Sequence, residues 1–183
     1  MSKPVFLTGV ERTFPDDDII VSKTDLKGRI TYANQVFLQI ADYTEKEVMG
    51  QPHSIIRHPA MPRCVFKLLW ATIEAGQEIF AYVVNRTKHG DHYWVYAHVT
   101  PSFDNAGRII GYHSNRRVPD RKIVDEHIVP LYQALREEEA RHQSRKDGMM
   151  AAEQMIFDVL AQKGVAYDEF IATLGQERQS GFR

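Results

Sequence analysis

The alternation of apolar and polar residues divides the chain into short, distinct elements. Ile19-Ile20-Val21 reads as a strand closed by Asp25 and Gly28, and Arg29-Ile30-Thr31-Tyr32 reads as its hairpin partner. From Asn34 the period changes to that of a helix: Val36, Phe37, Ile40 and Ala41 share one face, with Asn34 at the N-cap. Thr44 followed three residues later by Glu47 forms a capping box for a second short helix, which Gly50 ends. The three prolines of residues 52–62 forbid one long helix there. Beyond them Val65, Phe66, Leu68, Leu69 and Ile73 predict a longer helix stopped at Gly76. Three strands follow, Ile79 to Arg86, Tyr93 to Thr100 and Arg108 to His113, joined by the turn sequences His89-Gly90-Asp91 and Asp104-Asn105-Ala106-Gly107.

Before this block Pro4, Gly9, Pro15 and the run Asp16-Asp17-Asp18 predict an irregular lead-in. After it the pattern is helical. Ile123, Ile128, Leu131, Tyr132 and Leu135 share a face, and Pro130 within that pattern implies a kink or a restart. A charged run follows from Arg136 to Asp147, and Gly148 reads as an interruption. Met155, Ile156, Val159 and Leu160 mark another helix ended by Gly164, and Phe170, Ile171 and Leu174 a last one ended by Gly175. The expected organisation is a lead-in (1–17), a sensor-sized domain (18–118), an output or linker helix (119–147) and a helical extension (148–183). The expected fold class is α+β: a five-stranded antiparallel sheet with helices packed on one face, followed by C-terminal helices. The split of the strands into two and three leaves room for a pocket between sheet and helices.

Composition narrows the function classes. At 183 residues, 43% hydrophobic and 26% charged, the chain fits one ordinary domain with an appendage and excludes disordered or collagen-like architectures. The single cysteine, Cys64, excludes an intrachain disulfide and a Cys-rich zinc site and suits a reducing compartment. With 23 basic against 24 acidic residues there is no basic footprint, so no nucleic-acid partner is expected. No apolar run approaches the ~18 residues of a membrane span, and the N-terminus lacks the apolar core and cleavage site of a secretory signal, so a cytoplasmic location is expected. No nucleophile elbow, phosphate loop or paired catalytic carboxylates are present, so the chain reads as a non-enzyme.

Specific segments carry a resemblance. TDLKGRITYANQVFLQIADYTEKEVMGQ resembles the opening of a PAS sensor domain, NRTKHGDHYWVYAHVTP its central hairpin and GRIIGYHSNR its last strand. GQPHSIIRHPAMP (50–62), VNRTKHGDHYWV (84–95) and DEHIVPLYQAL (125–135) are similar to the PAS domain of bacterial aerotaxis receptors and the stretch that follows it. The likeness covers about residues 15–136. It implies non-covalent binding of flavin adenine dinucleotide (FAD), redox or oxygen sensing in aerotaxis, a homodimer, and a signalling partner such as a chemoreceptor or kinase complex. Two departures stand out. Ala60 occupies the position that is usually acidic in the motif. The chain also carries no membrane anchor, HAMP segment or coiled-coil rod, the pattern of a stand-alone soluble relative or a fragment.

Each candidate cofactor-binding residue has an ordinary alternative. Arg57 can pair its guanidinium with a phosphate or ribityl oxygen, and it and His58 match family positions that matter for flavin; otherwise Arg57 is a surface cation and His58 a helix cap. His53 either contributes to the site or caps the turn after Pro52. Trp70 can stack on a ring system or simply pack in the core. Asn85, inward on its strand, offers the donor and acceptor that a flavin edge needs; otherwise it bonds to its own turn. Asn34 is a weaker case of the same kind, since N-capping alone explains it. Cys64 lacks the sequence surroundings of a light-sensing cysteine. Haem is a second candidate cofactor, with His53, His58 and His113 as conceivable ligands, which would make a gas sensor. A third reading is a cofactor-free interaction module.

Overall fold

The computed structural model describes residues 6–176. The start of the lead-in, with Pro4, and the last residues of the 148–183 extension lie outside the described residues. The sheet has the strand order β2-β1-β5-β4-β3 and is antiparallel throughout. Its strands are β1 (Ile20–Thr24), β2 (Ile30–Ala33), β3 (Ile79–Arg86), β4 (His92–Phe103) and β5 (Ile109–Arg117). The first and last parts of the domain meet in the middle: β1 pairs with β5, Ser22 opposite Ser114 and Ile20 opposite Arg116.

Between β2 and β3 run α1 (Gln35–Ala41), α2 (Glu45–Val48), a 3₁₀ turn (His53–Ile56) and α3 (Arg63–Glu74). Helix α1 starts where Asn34 accepts the Phe37 N–H, and it ends at Asp42 in a left-handed conformation. Helix α3 follows Pro62, whose missing N–H costs nothing at a helix start. Its Val65, Leu69 and Ile73, four residues apart, are buried. Burial of Ile20, Ile30, Phe37, Ile56, Val84, Tyr93 and Val95 forms the core beside them.

Strand β3 is an edge strand, and the chain covers its open side. The Val84 N–H points at the Met61 sulfur, and the Tyr132 hydroxyl donates to the Tyr82 carbonyl at 2.5 Å. Tyr132 lies on α5 (Val129–Ala140), which follows α4 (Arg121–Ile123) and a π-type turn (Val124–Ile128). The π turn explains the expected irregularity at Pro130: α5 restarts with the proline in its first turn, where no intrahelical N–H is needed.

Helix α6 (Arg145–Lys163) corrects the reading of Gly148 as an interruption. Ser144 caps the helix through the Asp147 N–H, and Gly148 lies inside it. A Cβ at Gly148 would stand 2.3 Å from the Glu139 carbonyl oxygen, so the glycine serves close packing of α6 on α5. Helix α7 (Tyr167–Thr173) follows and buries Ile171. Among the described residues no helix is long and apolar enough to cross a membrane.

Candidate cofactor pocket

A cavity of about 480 Å³ lies between α3 and the inner face of the sheet, a size typical of small-molecule sites. Its walls are Leu69, Trp70 and Ile73 of α3, Val83 and Asn85 of β3, Ala97 and Val99 of β4, and Tyr112, Ser114 and Arg116 of β5. Period-2 alternation supplies the sheet wall, since every second residue of a strand faces the same side. Ser22 and Thr24 of β1 complete it, and His53, Arg57 and Phe66 close the helical side.

The deep end is polar. Arg116 is buried at 2% exposure, and its Nη2 donates to the Ser22 hydroxyl. The guanidinium has no lone pair to offer, so the Ser22 oxygen accepts from it and keeps its own hydrogen for His53 Nε2, 3.1 Å away. That chain requires a neutral His53. Burial, reinforced by the charge of Arg116, lowers the His53 pKa to about 3. Arg116 Nε and Nη1 and the Thr24 hydroxyl are buried without a hydrogen-bond partner. Burial lowers the Arg116 pKa to about 10, which still leaves it charged at neutral pH. No carboxylate lines the cavity among the described residues. The Phe37 ring lies beside it, its centroid 5.4 Å from the guanidinium carbon.

The mouth is basic as well. Arg57 lies over the Phe66 ring, 4.2 Å from its centroid, and its backbone bridges to Asn85 on the edge of β3. Burial lowers the Arg57 pKa, while the charge of Glu139 raises it. Lys27, Arg63 and Lys67 line the same rim. Trp70 packs edge-to-face on Tyr112, centroids 5.4 Å apart, and leans over Gly28. A Cβ at Gly28 would come within 2.9 Å of the indole, and its φ of +72° also favours glycine.

The structure brings four of the six candidate residues, His53, Arg57, Trp70 and Asn85, around one cavity. It places the other two outside the lining. The Asn34 amide is committed to the fold: Oδ1 accepts from the Val21 and Phe37 N–H groups, both at 3.0 Å, and Nδ2 donates to the Ile19 carbonyl at 2.8 Å. His58 caps its own turn by accepting the Ala60 N–H on Nδ1 at 3.1 Å, with its ring against His92. Burial, with the charges of His92, Arg136 and Arg86, lowers its pKa to about 4. Of the conceivable haem ligands, His53 and His113 line the cavity. Cys64 is buried, its thiol raised to about 12 mainly by burial. Arg116 and Ser22 escaped the sequence reading, although Tyr112, Ser114 and Arg116 share one strand face and a charge in that register was the available signal.

Comparison with known proteins adds to this geometry. Residues 30–116 match the family described as PAS fold. The Escherichia coli aerotaxis receptor is 42% identical over 136 residues, covering 74% of this chain and 26% of that receptor. The biofilm dispersion protein BdlA of Pseudomonas aeruginosa is 27% identical over 156 residues, 84% of this chain and 34% of that protein. The chain thus spans about a quarter to a third of the length of these relatives. Among solved structures, the dark state of the blue-light photoreceptor Aureochrome1 LOV superposes with a TM-score of 0.54 at 21% identity. That match covers 64% of this chain and 86% of the LOV chain, and it supports the fold.

Proposed function

We propose that this chain, whose residues 30–116 match the PAS fold and which is similar to the aerotaxis receptor over 136 residues, is an aerotaxis-type, flavin-binding redox sensor with FAD as the preferred cofactor. The observation that carries this reading is Arg116: a buried cation with two unpartnered donor atoms, facing a cavity that no carboxylate lines among the described residues. A buried guanidinium left in this state costs free energy that a ligand with carbonyl oxygens or negative charge recovers. A flavin supplies carbonyl acceptors on its ring and gains electrons there on reduction. Arg116 favours added negative charge nearby, and Asn85 offers both an acceptor and a donor at the same wall. Arg57, Arg63 and Lys67 at the mouth suit the diphosphate that distinguishes FAD from riboflavin.

The signal leaves through the helices that follow the sheet. Arg116 is next to the last residue of β5, and α4 begins at Arg121. A ligand shifts this equilibrium only by its different affinity for two arrangements. A contact between Arg116 and the flavin that strengthens on reduction supplies such a difference. We place the chain in a non-enzymatic, aerotaxis-related signalling role, acting as a dimer in the cytoplasm on a receptor or kinase partner.

The test is the visible spectrum of the purified protein. The expected result is a yellow protein whose flavin absorption bleaches with dithionite and which releases FAD on denaturation. Haem absorption sensitive to carbon monoxide would establish the gas-sensor reading instead. A colourless protein that takes up no added flavin would leave the interaction module.

A further inference from the structure

Two acidic residues of the C-terminal helices sit on cations of the cavity mouth. Glu139, on α5 and only 7% exposed, accepts from Arg63 Nε at 3.0 Å and from the Cys64 N–H at 2.8 Å. Its carboxylate therefore caps the N-terminus of α3 and neutralises Arg63 together. Glu153, on α6, forms an ion pair with Lys67, one turn further along α3. Arg63 and Lys67 both line the cavity, and Met149 of α6 lines it beside them. Gly148 allows the two C-terminal helices to approach closely enough to hold Met149 there.

The pairing contrasts with the deep end, where the cation has no acid. Two of the mouth cations, Arg63 and Lys67, are paired from outside the PAS domain, by helices packed against α3. An anion entering the mouth meets Arg63 and Lys67 with their charge already balanced by Glu139 and Glu153. The donors those two cations keep free can still reach it, but it then lies beside two carboxylates of its own sign and competes with them for the same cations. We propose that α5 and α6 form a latch on the mouth of the cavity, in which Glu139 and Glu153 stand in for the phosphates of a diphosphate-bearing ligand, so that ligand binding and latch closure oppose each other. The latch deepens the flavin reading and rests on it for the identity of the ligand as FAD; the shared chemistry is the diphosphate group. Because the coupling is reciprocal, whatever loosens the latch tightens diphosphate binding by the same factor.

The mouth ion pairs are the reversible part of this device. Lys67 keeps 38% of its side-chain surface and Glu153 17%, so this outer pair is open to competition from solution, whereas Glu139, at 7%, holds the inner pair more firmly. An exposed pair of this kind shifts an equilibrium by a few-fold rather than a thousand-fold. That size suits a ligand-responsive contact.

The test measures amide hydrogen exchange across residues 145–163 of the full chain at constant ionic strength, with FAD, riboflavin or inorganic pyrophosphate as probes. FAD and pyrophosphate are expected to speed exchange in this segment about threefold, and riboflavin to leave it unchanged. In Glu153→Gln the segment should exchange faster without ligand, and pyrophosphate should bind about threefold more tightly by calorimetry. Lys67→Gln should abolish most of the response to pyrophosphate. Unchanged exchange with both FAD and pyrophosphate overturns the latch, whether or not flavin binds. A response to pyrophosphate in a protein that takes up no flavin retains the latch and removes FAD as its ligand. Equal tightening of riboflavin and FAD in Glu153→Gln overturns the competition for phosphate.

Discussion

The two ends of the cavity solve the same problem differently. Both present cations to the interior. At the deep end Arg116 is buried with a serine, a neutral histidine and a phenylalanine ring around it and no acid. At the mouth Arg63 and Lys67 are half-exposed and each is paired with a glutamate from a later helix. A buried unpaired charge is a standing cost to the fold, whereas a half-exposed paired one is nearly neutral and easily exchanged. The difference assigns the deep end to affinity and the mouth to response.

The largest expected effect tests the deep end. Arg116→Met should weaken flavin binding by about a hundredfold, near 3 kcal/mol, while stabilising the ligand-free protein by about 1 kcal/mol. Flavin titration and urea unfolding measure the two, and a destabilised ligand-free variant would show that Arg116 is a structural group after all. Glu139→Ala should cost about 2 kcal/mol of stability in urea unfolding, because it removes a buried carboxylate from both Arg63 and the α3 N-terminus. A loss no larger than that of a surface pair would make the two ends alike. Gly148→Ala should destabilise by about 1–2 kcal/mol, since the clash with the Glu139 carbonyl outweighs the better helix propensity of alanine. A gain in Tm would mean that α6 packs more loosely on α5 than described.

The remaining test is a pH slope, small near neutrality and growing as the pH falls. The His53 pKa is lowered to about 3 in the folded protein, against about 6.5 for an unperturbed histidine. The unfolded chain therefore binds this proton first. Stability is fully present above pH ~6.5 and falls as pH drops toward 3, by up to about 1.4 kcal/mol per pH unit from this residue. His53→Gln should flatten the slope measured by urea unfolding between pH 6 and 4. An unchanged slope would place the titration elsewhere, with His58 the next group to examine.

Much of the fold was legible because it rests on local chemistry. The run from Ile79 to Arg86 became β3 with those bounds, and the Thr44–Glu47 capping box opens α2 as read. The site was half legible. His53, Arg57, Trp70 and Asn85 line the cavity, but the Asn34 amide lies outside it, with its oxygen and one N–H engaged by the α1 cap and the strand beside it. Arg116 was missed because the predicted strand stopped at His113, whereas β5 runs on to Arg117 and carries the inward register with it. Only the pairing of β1 with β5 shows that it points inward beside Ser22. Gly148 was misread because a glycine in a polar stretch commonly breaks a helix, and its reason for lying within one is the backbone of a different helix.

By itself the sequence determined the order and type of the elements, the helix caps and turns, and the resemblance carried by residues 50–62 and 84–95. Those features depend on neighbours a few residues away, and periodicity records them. The tertiary structure decided which cations share a cavity, which have an acid beside them and which do not. Arg116 and Ser22 are 94 positions apart, and Arg63 and Glu139 are 76. The balance of buried charge that defines this site is set by such contacts across the fold, and no local pattern along the chain encodes them.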